Sequence, residues 1–393
     1  MSGVQAVLAH LDRVALDAGA RSAEIEAARA LPRDLVEALI GGGVFRLAVP
    51  DELSGFGADH GTVLDAIERC ARRDGSTGLV VAAGILGAID AERLPRHHAG
   101  TILGDTRTVI GGSRSLGGTG RLTDDGDLVV SGRWAWGTGV TNCTWIGGGV
   151  RLADDGTDDP STGPGKATTT DAERGSGGQT PTGERSAGDE RSSVYAYFRR
   201  DQVVVLDTWH AVGLRGSGST DYQVTEAFVP EGRWLPLTDD HEPADGSAMD
   251  HLAPAALAAV AVGLAARAVD EVAALAPIAA DGRSGPFGLG EAAQTELGRI
   301  EADVAGARSH LLAVAGDGRG VGSDGPEPLV AAIRIVDHAV DAVWRCFRLG
   351  GPAAVLHASP LQRLLRDAAT IGQHPLLERR HLADAGRRRL GPG

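Results

Sequence analysis

Apolar residues recur every three or four positions from Val4 to about Gly104, as at Leu31, Leu35 and Leu39 and again at Val63 and Ile67. That spacing lays one apolar stripe along a helix. Pro32 near the start and Gly41-Gly42-Gly43 at the end bracket one such helix, since proline suits the first turn and glycine the exit. Val49-Pro50 to Gly55-Phe56-Gly57 interrupts the stripe and reads as a loop. From about Val109 to Leu235 the pattern changes. A turn at Asp124-Asp125-Gly126-Asp127 is followed by Leu128-Val129-Val130, then Trp134 and Trp136. Later come Val194 to Phe198, Val203 to Leu206 and Tyr222 to Thr225. Such β-branched and aromatic runs between polar turns predict an antiparallel sheet or small barrel. From about Asp250 the helical spacing returns over Pro254 to Ala276, Gly290 to Ala315, Pro328 to Arg348 and onward from Leu361. Four such segments separated by Gly, Asp and Pro loops predict a four-helix bundle.

The expected architecture is therefore α+β, in three parts: an N-terminal helical domain over 1–107, a middle antiparallel β-domain over 108–240, and a C-terminal four-helix bundle over 241–393. Within the middle part, Ala153 to Arg191 is rich in Thr, Gly, Asp, Ser and Pro and almost devoid of apolar residues. A stretch like this buries too little surface to offset its ordering entropy, so 153–191 is expected to be a disordered, dispensable insertion between two strands. A phosphorylated regulatory loop is the alternative reading.

Composition narrows the function. Of 393 residues 42% are hydrophobic and 23% charged, ordinary globular usage that argues against disorder of the whole chain. The formal net charge of -14 opposes binding to nucleic acid or an anionic membrane, both of which rest on Lys and Arg neutralising phosphates. Small phosphorylated ligands stay open, because a few Arg side chains or helix N-termini suffice for them. Cys70, Cys143 and Cys346 are far apart and form no CxxC pair, so neither a disulfide framework nor a metal site is indicated and a reducing compartment fits. His10, Asp12, Arg13 and Asp17 interrupt the first apolar stretch, unlike a signal peptide. The uncharged run Ala255 to Ala266 is shorter than the roughly 20 residues that span a bilayer. A cytoplasmic protein with no membrane partner is expected. No GxGxxG follows a strand, which leaves a Rossmann site unsupported.

The segment Trp209-His210-Ala211-Val212-Gly213-Leu214-Arg215-Gly216-Ser217-Gly218-Ser219, followed by a strand and Phe228-Val229-Pro230, resembles the acyl-CoA dehydrogenase superfamily. There a Gly-Leu-Arg-Gly-Ser/Thr turn precedes the last β-domain strand and a Val-Pro exit. Four further stretches agree in order. They are Val49-Pro50-Asp51-Glu52 through Gly57, Gly132-Arg133-Trp134-Ala135-Trp136-Gly137-Thr138, Arg283 through Phe287-Gly288 with Gln294, and Gly350-Gly351 with Leu361-Gln362-Arg363-Leu364-Leu365-Arg366-Asp367.

The resemblance implies a flavin, FAD with FMN as the alternative, and a homotetramer whose sites are completed by adjacent subunits. Trp136 and Thr138 are then the residues facing the isoalloxazine, although a buried strand aromatic is the plainer reading of Trp136. Ser113 falls where the superfamily has a Gly-Ser that bonds flavin phosphate or substrate. Arg283 matches the Arg that reaches the FAD diphosphate, a choice suited to bidentate pairing, with a solvated loop Arg as the alternative. Gly350 and Gly351 would admit backbone close to the adenine, or simply cap a helix.

One departure bears on the reaction. Counting past Arg366-Asp367, the place of the dehydrogenases' carboxylate base holds His374-Pro375, and the other known position, in Ala253 to Val262, holds no acid. A His there resembles the two-component flavin monooxygenases, which take reduced flavin from a separate reductase and place an imidazole near it to serve oxygen chemistry or deprotonate substrate. The expected function is thus a flavin-dependent oxidoreductase, a monooxygenase acting on a small organic substrate, with His374 catalytic. The alternatives are an acyl-CoA dehydrogenase with a relocated base such as Glu378, passing electrons to an electron-transfer flavoprotein, and a catalytically silent flavin-binding subunit.

Overall fold

A computed structural model describes residues 3–153, 193–237, 249–280, 290–315 and 327–391. Six helices come first: α1 (Gly3–Ala20), α2 (Ser22–Ala28), α3 (Arg33–Gly41), α4 (His60–Arg73), α5 (Gly75–Glu92) and α6 (Arg96–Leu103). The carboxylates of Asp59 and Asp74 accept from the Thr62 and Thr77 amides and so cap α4 and α5. Pro32 sits just ahead of α3, where the sequence places it. α4 carries its apolar residues on one face, whereas α5 is apolar nearly all round and runs through the core between α4, β1 and the bundle.

The middle of the chain forms one seven-stranded sheet from β1 (Ile110–Leu122), β2 (Leu128–Gly137), β3 (Trp145–Leu152), β4 (Ser193–Arg199), β5 (Val204–Val205), β6 (Thr220–Val229) and β7 (Trp234–Leu237). Their order is β5-β6-β2-β1-β3-β4-β7. Among the described residues every pairing is antiparallel except β1 with β3, which is parallel. This parallel pair is what the expected antiparallel sheet lacked. It is lined by glycines: Gly112 has φ +147°, and a Cβ there would press into the Gly147 backbone. Trp134 is fully buried, stacks on Tyr222 at 5.2 Å, and donates from Nε1 to the Gly149 carbonyl at 2.8 Å. A short strand, β7, follows the Val229-Pro230 exit, so β6 is not the last strand. The expected insertion 153–191 lies, apart from its first residue, outside the described residues.

Helices return with α7 (Met249–Ala280), α8 (Glu291–Ala315), α9 (Pro328–Ala354), α10 (Pro360–Ile371) and α11 (Arg380–Leu390). α7 through α10 pack against one another, with α7 also lying on α4 and α5. The α7 stretch from Ala255 to Leu264 is wholly buried, so its apolar composition belongs to a core helix. By length and apolarity α5 and the His251–Leu275 part of α7 match membrane spans, yet most of each is buried within the molecule. Helix α9 breaks at Gly351, whose φ of 54° and ψ of -144° are not helical, just before Pro352.

Candidate active site

The irregular end of β2 sets the site. Buried positions alternate from Leu128 through Trp134, but Ala135 and Trp136 are both exposed and Gly137 is buried again. The break comes from Trp136, whose φ of +58° turns it out of the strand while the register with β6 slips between Trp134 and Gly137. The residue is 59% exposed. The plainer reading of Trp136 as a buried strand aromatic therefore fails, and Trp134 takes that role. A bulky residue held in the left-handed region costs free energy, and such outliers gather at functional sites.

Two residues on, Thr138 bridges Gly112, which brings it beside Ser113 on β1. The Ser113 amide donates to the Tyr222 hydroxyl at 3.1 Å, and that hydroxyl donates to the Gly147 carbonyl at 2.5 Å. Ser113 Oγ lies 2.9 Å from Ser115 Oγ. Ser219 Oγ donates to Thr138 Oγ1 at 3.2 Å, leaving the Thr138 proton with no acceptor among the described residues. Gly139 has φ +73°, and a Cβ there would meet nothing nearer than Val80 of α5 at 3.8 Å. An exposed indole, an unspent hydroxyl proton and room at Gly139 suit a flat ring with hydrogen-bonding edges. The residues present fit an isoalloxazine.

The loop from Trp209 to Ser219 joins this corner to α10. A Cβ at Gly213 would press into the Arg366 carbonyl, so the loop lies flat against the helix. Asp367 Oδ1 accepts from the Leu214 amide at 2.6 Å, and Arg366 donates to the Val212 carbonyl at 2.7 Å and to Glu26 at 2.5 Å. Burial pushes the Asp367 carboxyl up to about 7, with the nearby Asp74 carboxylate adding to the rise and the Leu214 amide opposing it. Burial raises Asp74 as well, against the hydrogen bonds from Thr77.

His374 follows the end of α10 and caps the 3-10 turn Pro375–Leu377, its Nδ1 accepting from the Leu376 amide at 3.2 Å. The residue keeps some exposed surface, but burial of the ring holds its pKa down at about 4. A neutral ring whose Nδ1 accepts carries its proton on Nε2. Glu378 sits exposed just past that turn and pairs with Arg380 at 3.0 Å. Asp384 pairs with Arg387.

Ser113, Trp136 and Thr138 are thus neighbours on β1 and β2, while His374 comes from the bundle side. Gly350 and Gly351 are elsewhere. A Cβ at Gly350 would meet Leu361 at the start of α10 at 2.5 Å, which is helix packing. Over the 12 residues of α10, roughly 18 Å at 1.5 Å per residue, they lie at the opposite end from His374. Arg283 lies outside the described residues. Sequence reasoning missed Ser217, Ser219, Tyr222 and Asp367. The first two and Asp367 sit inside the motifs named above, but the bond from Leu214 to Asp367 spans 153 residues and that from Ser219 to Thr138 spans 81, and neither is visible in spacing. Among the described residues no group of His, Cys, Asp and Glu could hold a metal.

Residues 255–379 match the acyl-CoA dehydrogenase C-terminal domain family. Over 381 residues the chain is 25% identical to the flavin-dependent monooxygenase oxygenase subunit HsaA of Rhodococcus jostii RHA1, covering 88% of each. Among solved structures it is similar to the 3-HSA hydroxylase of Rhodococcus sp. RHA1, with TM-score 0.80, 23% identity and coverage of 99% of this chain and 97% of that one. It is also similar to XiaF from a Streptomyces species in complex with FADH2 and glycerol, with TM-score 0.76, 20% identity and coverage of 99% and 97%.

Proposed function

We propose that this chain, a member of the acyl-CoA dehydrogenase superfamily, is the oxygenase of a two-component flavin-dependent monooxygenase that acts on a small organic substrate. The observation that carries the reading is at residue 374: where a dehydrogenase needs a carboxylate base, the chain carries a neutral imidazole, and Glu378, the candidate for a relocated base, is exposed and ion-paired. The relatives support the reading, one being named a flavin-dependent monooxygenase oxygenase subunit and another a hydroxylase.

Reduced flavin, when bound, supplies the electrons that activate molecular oxygen for transfer of one oxygen atom. Everything else falls to the protein. Trp136 offers its indole face to the ring, and Thr138 offers a hydroxyl to its edge. With Nδ1 tied to Leu376, His374 presents Nε2–H as a donor. A ring whose pKa is near 4 resists becoming imidazolium, so of the two duties open to it, donating a hydrogen bond to bound oxygen or substrate fits better than deprotonating substrate. Helix α5 has no charged side chain from Gly75 to Ile89, and this apolar wall beside Gly139 keeps water from the reacting atoms.

FAD is the flavin we favour, as in the FADH2-bound relative, with FMN as the alternative. The reduced flavin comes from a separate reductase, the complement of an oxygenase subunit. The exposed Trp344, stacked on Phe347 at 5.8 Å, supports a homotetramer that covers it. Three buried, unbridged cysteines suit a cytoplasmic setting. Anaerobic titration tests the reading. Dithionite-reduced FAD is expected to bind in the micromolar range or tighter, and acyl-CoA added to the FAD-loaded protein is expected to leave the oxidised spectrum unchanged. Bleaching by acyl-CoA would return the chain to the dehydrogenases.

A further inference from the structure

Helix α5 leads from the flavin corner to a charge. Its Val80 stands 3.8 Å from the place of a Cβ on Gly139, and a Cβ on Gly87 would press on Ile110 of β1 at 2.8 Å. Further on, Asp90 accepts from Arg114 of β1 at 2.5 Å. From Val80 to Asp90 the helix covers about 15 Å at 1.5 Å per residue. Ala83, Leu86 and Gly87 keep some exposed surface, and their spacing puts them on one face with Asp90. Asp90 is the first charged side chain of α5, and it is buried. Arg114 reaches it from a bulge. β1 pairs with β3 at Ser113 opposite Gly148 and next at Leu116 opposite Gly149, which leaves Arg114 and Ser115 outside the ladder. Bulges re-aim side chains and gather beside active sites. The guanidinium lies over the Tyr195 ring, 5.0 Å from its centroid. Arg93, one turn along α5, donates to the other oxygen of Asp90 at 2.8 Å, so that carboxylate has a partner without Arg114. Asp90 is the sole acceptor of Arg114 among the described residues, and the Arg114 side chain is 29% exposed. A ring face and one carboxylate oxygen thus hold a guanidinium that keeps donors free for a second oxyanion.

We propose that Arg114 binds the carboxylate of a substrate whose apolar body lies along Ala83 and Leu86, so that the substrates are small organic acids. The inference rests on the function proposed above and names the substrate class of that site. Gly112, two residues before Arg114, bridges Thr138, which places the Arg114 backbone about 7 Å along β1 from the flavin corner. One ring with a short acid side chain spans such a gap. Asp90 and Tyr195 fix the guanidinium, and the substrate meets its remaining N–H groups.

Calorimetric titration of the FAD-loaded protein with 3-phenylpropanoate, and separately with its uncharged amide, reads the claim as a ratio of dissociation constants. Wild type is expected to bind the acid at least about tenfold tighter than the amide. Arg114→Gln is expected to bring the two constants within about twofold of each other and to leave FAD affinity unchanged. Arg114→Lys, which keeps the charge without the planar fork, is expected to fall between. If Arg114→Gln fails to fold because Asp90 loses a partner, the double variant Asp90→Asn with Arg114→Gln takes its place, with the same expected ratio. A guanidinium that merely fastens β1 to α5 would change the melting temperature and leave the preference for the acid untouched. Equal binding of acid and amide by wild type, binding of neither, a preference that survives in the glutamine variants, or a loss of FAD affinity in Arg114→Gln would overturn the proposal while leaving the flavin site intact. Failure of the wild-type protein to bind FAD in either oxidation state would instead remove the proposed function, and this inference with it.

Discussion

At the scale of single residues, three side chains carry strain or a shifted charge that predicts behaviour. Trp136 holds a left-handed backbone that glycine adopts freely. Trp136→Gly is expected to leave stability unchanged or raise it by up to about 1 kcal/mol, while FAD affinity drops at least tenfold. Urea unfolding and flavin titration check the two halves separately. His374→Ala is expected to retain flavin binding and lose substrate oxidation by roughly a hundredfold or more. Product formation per reduced FAD consumed is the measurement. The pH dependence of stability has two opposing parts. For His374 the folded pKa of about 4 lies below the ordinary 6.5, so between those values the unfolded chain binds a proton that the folded one refuses. Stability falls there as pH drops and is flat above. For Asp367 the folded pKa of about 7 lies above the ordinary 3.8, so the folded chain holds the extra proton and stability falls as pH rises toward 7. Asp367→Asn keeps an acceptor for the Leu214 amide without the titration. Wild type is expected to lose stability between pH 5.5 and pH 8 relative to this variant, and parallel pH curves would contradict the assignment. None of these shifts was legible in sequence, because burial against Leu214, Gly75 and Asp74 depends on residues remote along the chain.

Among the elements, helices were the most legible. Pro32 ahead of α3, the single apolar stripe of α4, and Ala-rich α7 follow from local pattern, which a 3.6-residue period expresses over many turns. The sheet was less so. Alternation identifies strands but not their partners, and the parallel pairing of β1 with β3 brings Gly112 against Gly147 across a gap too narrow for a Cβ. Gly112→Ala accordingly is expected to cost several kcal/mol, since the methyl group meets backbone that cannot swing away. Loss of the cooperative thermal transition, or of soluble expression, would show it, and a melting temperature within a degree or two of wild type would mean that the pairing is misjudged. At the Gly350-Gly351 pair, one glycine allows Leu361 to pack closely and the other breaks α9.

The whole molecule places a strained tryptophan and a hydroxyl on the sheet, and a neutral imidazole at the end of the bundle, with the Trp209 to Ser219 loop fastened between them through Asp367 and Arg366. Its three-part order was readable from the change of period alone, whereas the chemistry came from one unexpected residue at 374. On its outer surface Trp344 is 46% exposed and Leu312 36% exposed, apolar area that a second copy would cover. Light scattering is expected to give four chains per particle, and Trp344→Glu to give fewer. The structure of crystals soaked anaerobically with reduced FAD bears most directly on the central claim. The isoalloxazine is expected against Trp136 and Thr138 with His374 Nε2 turned toward it. A ring bound elsewhere, or an imidazole facing bulk water, would contradict it.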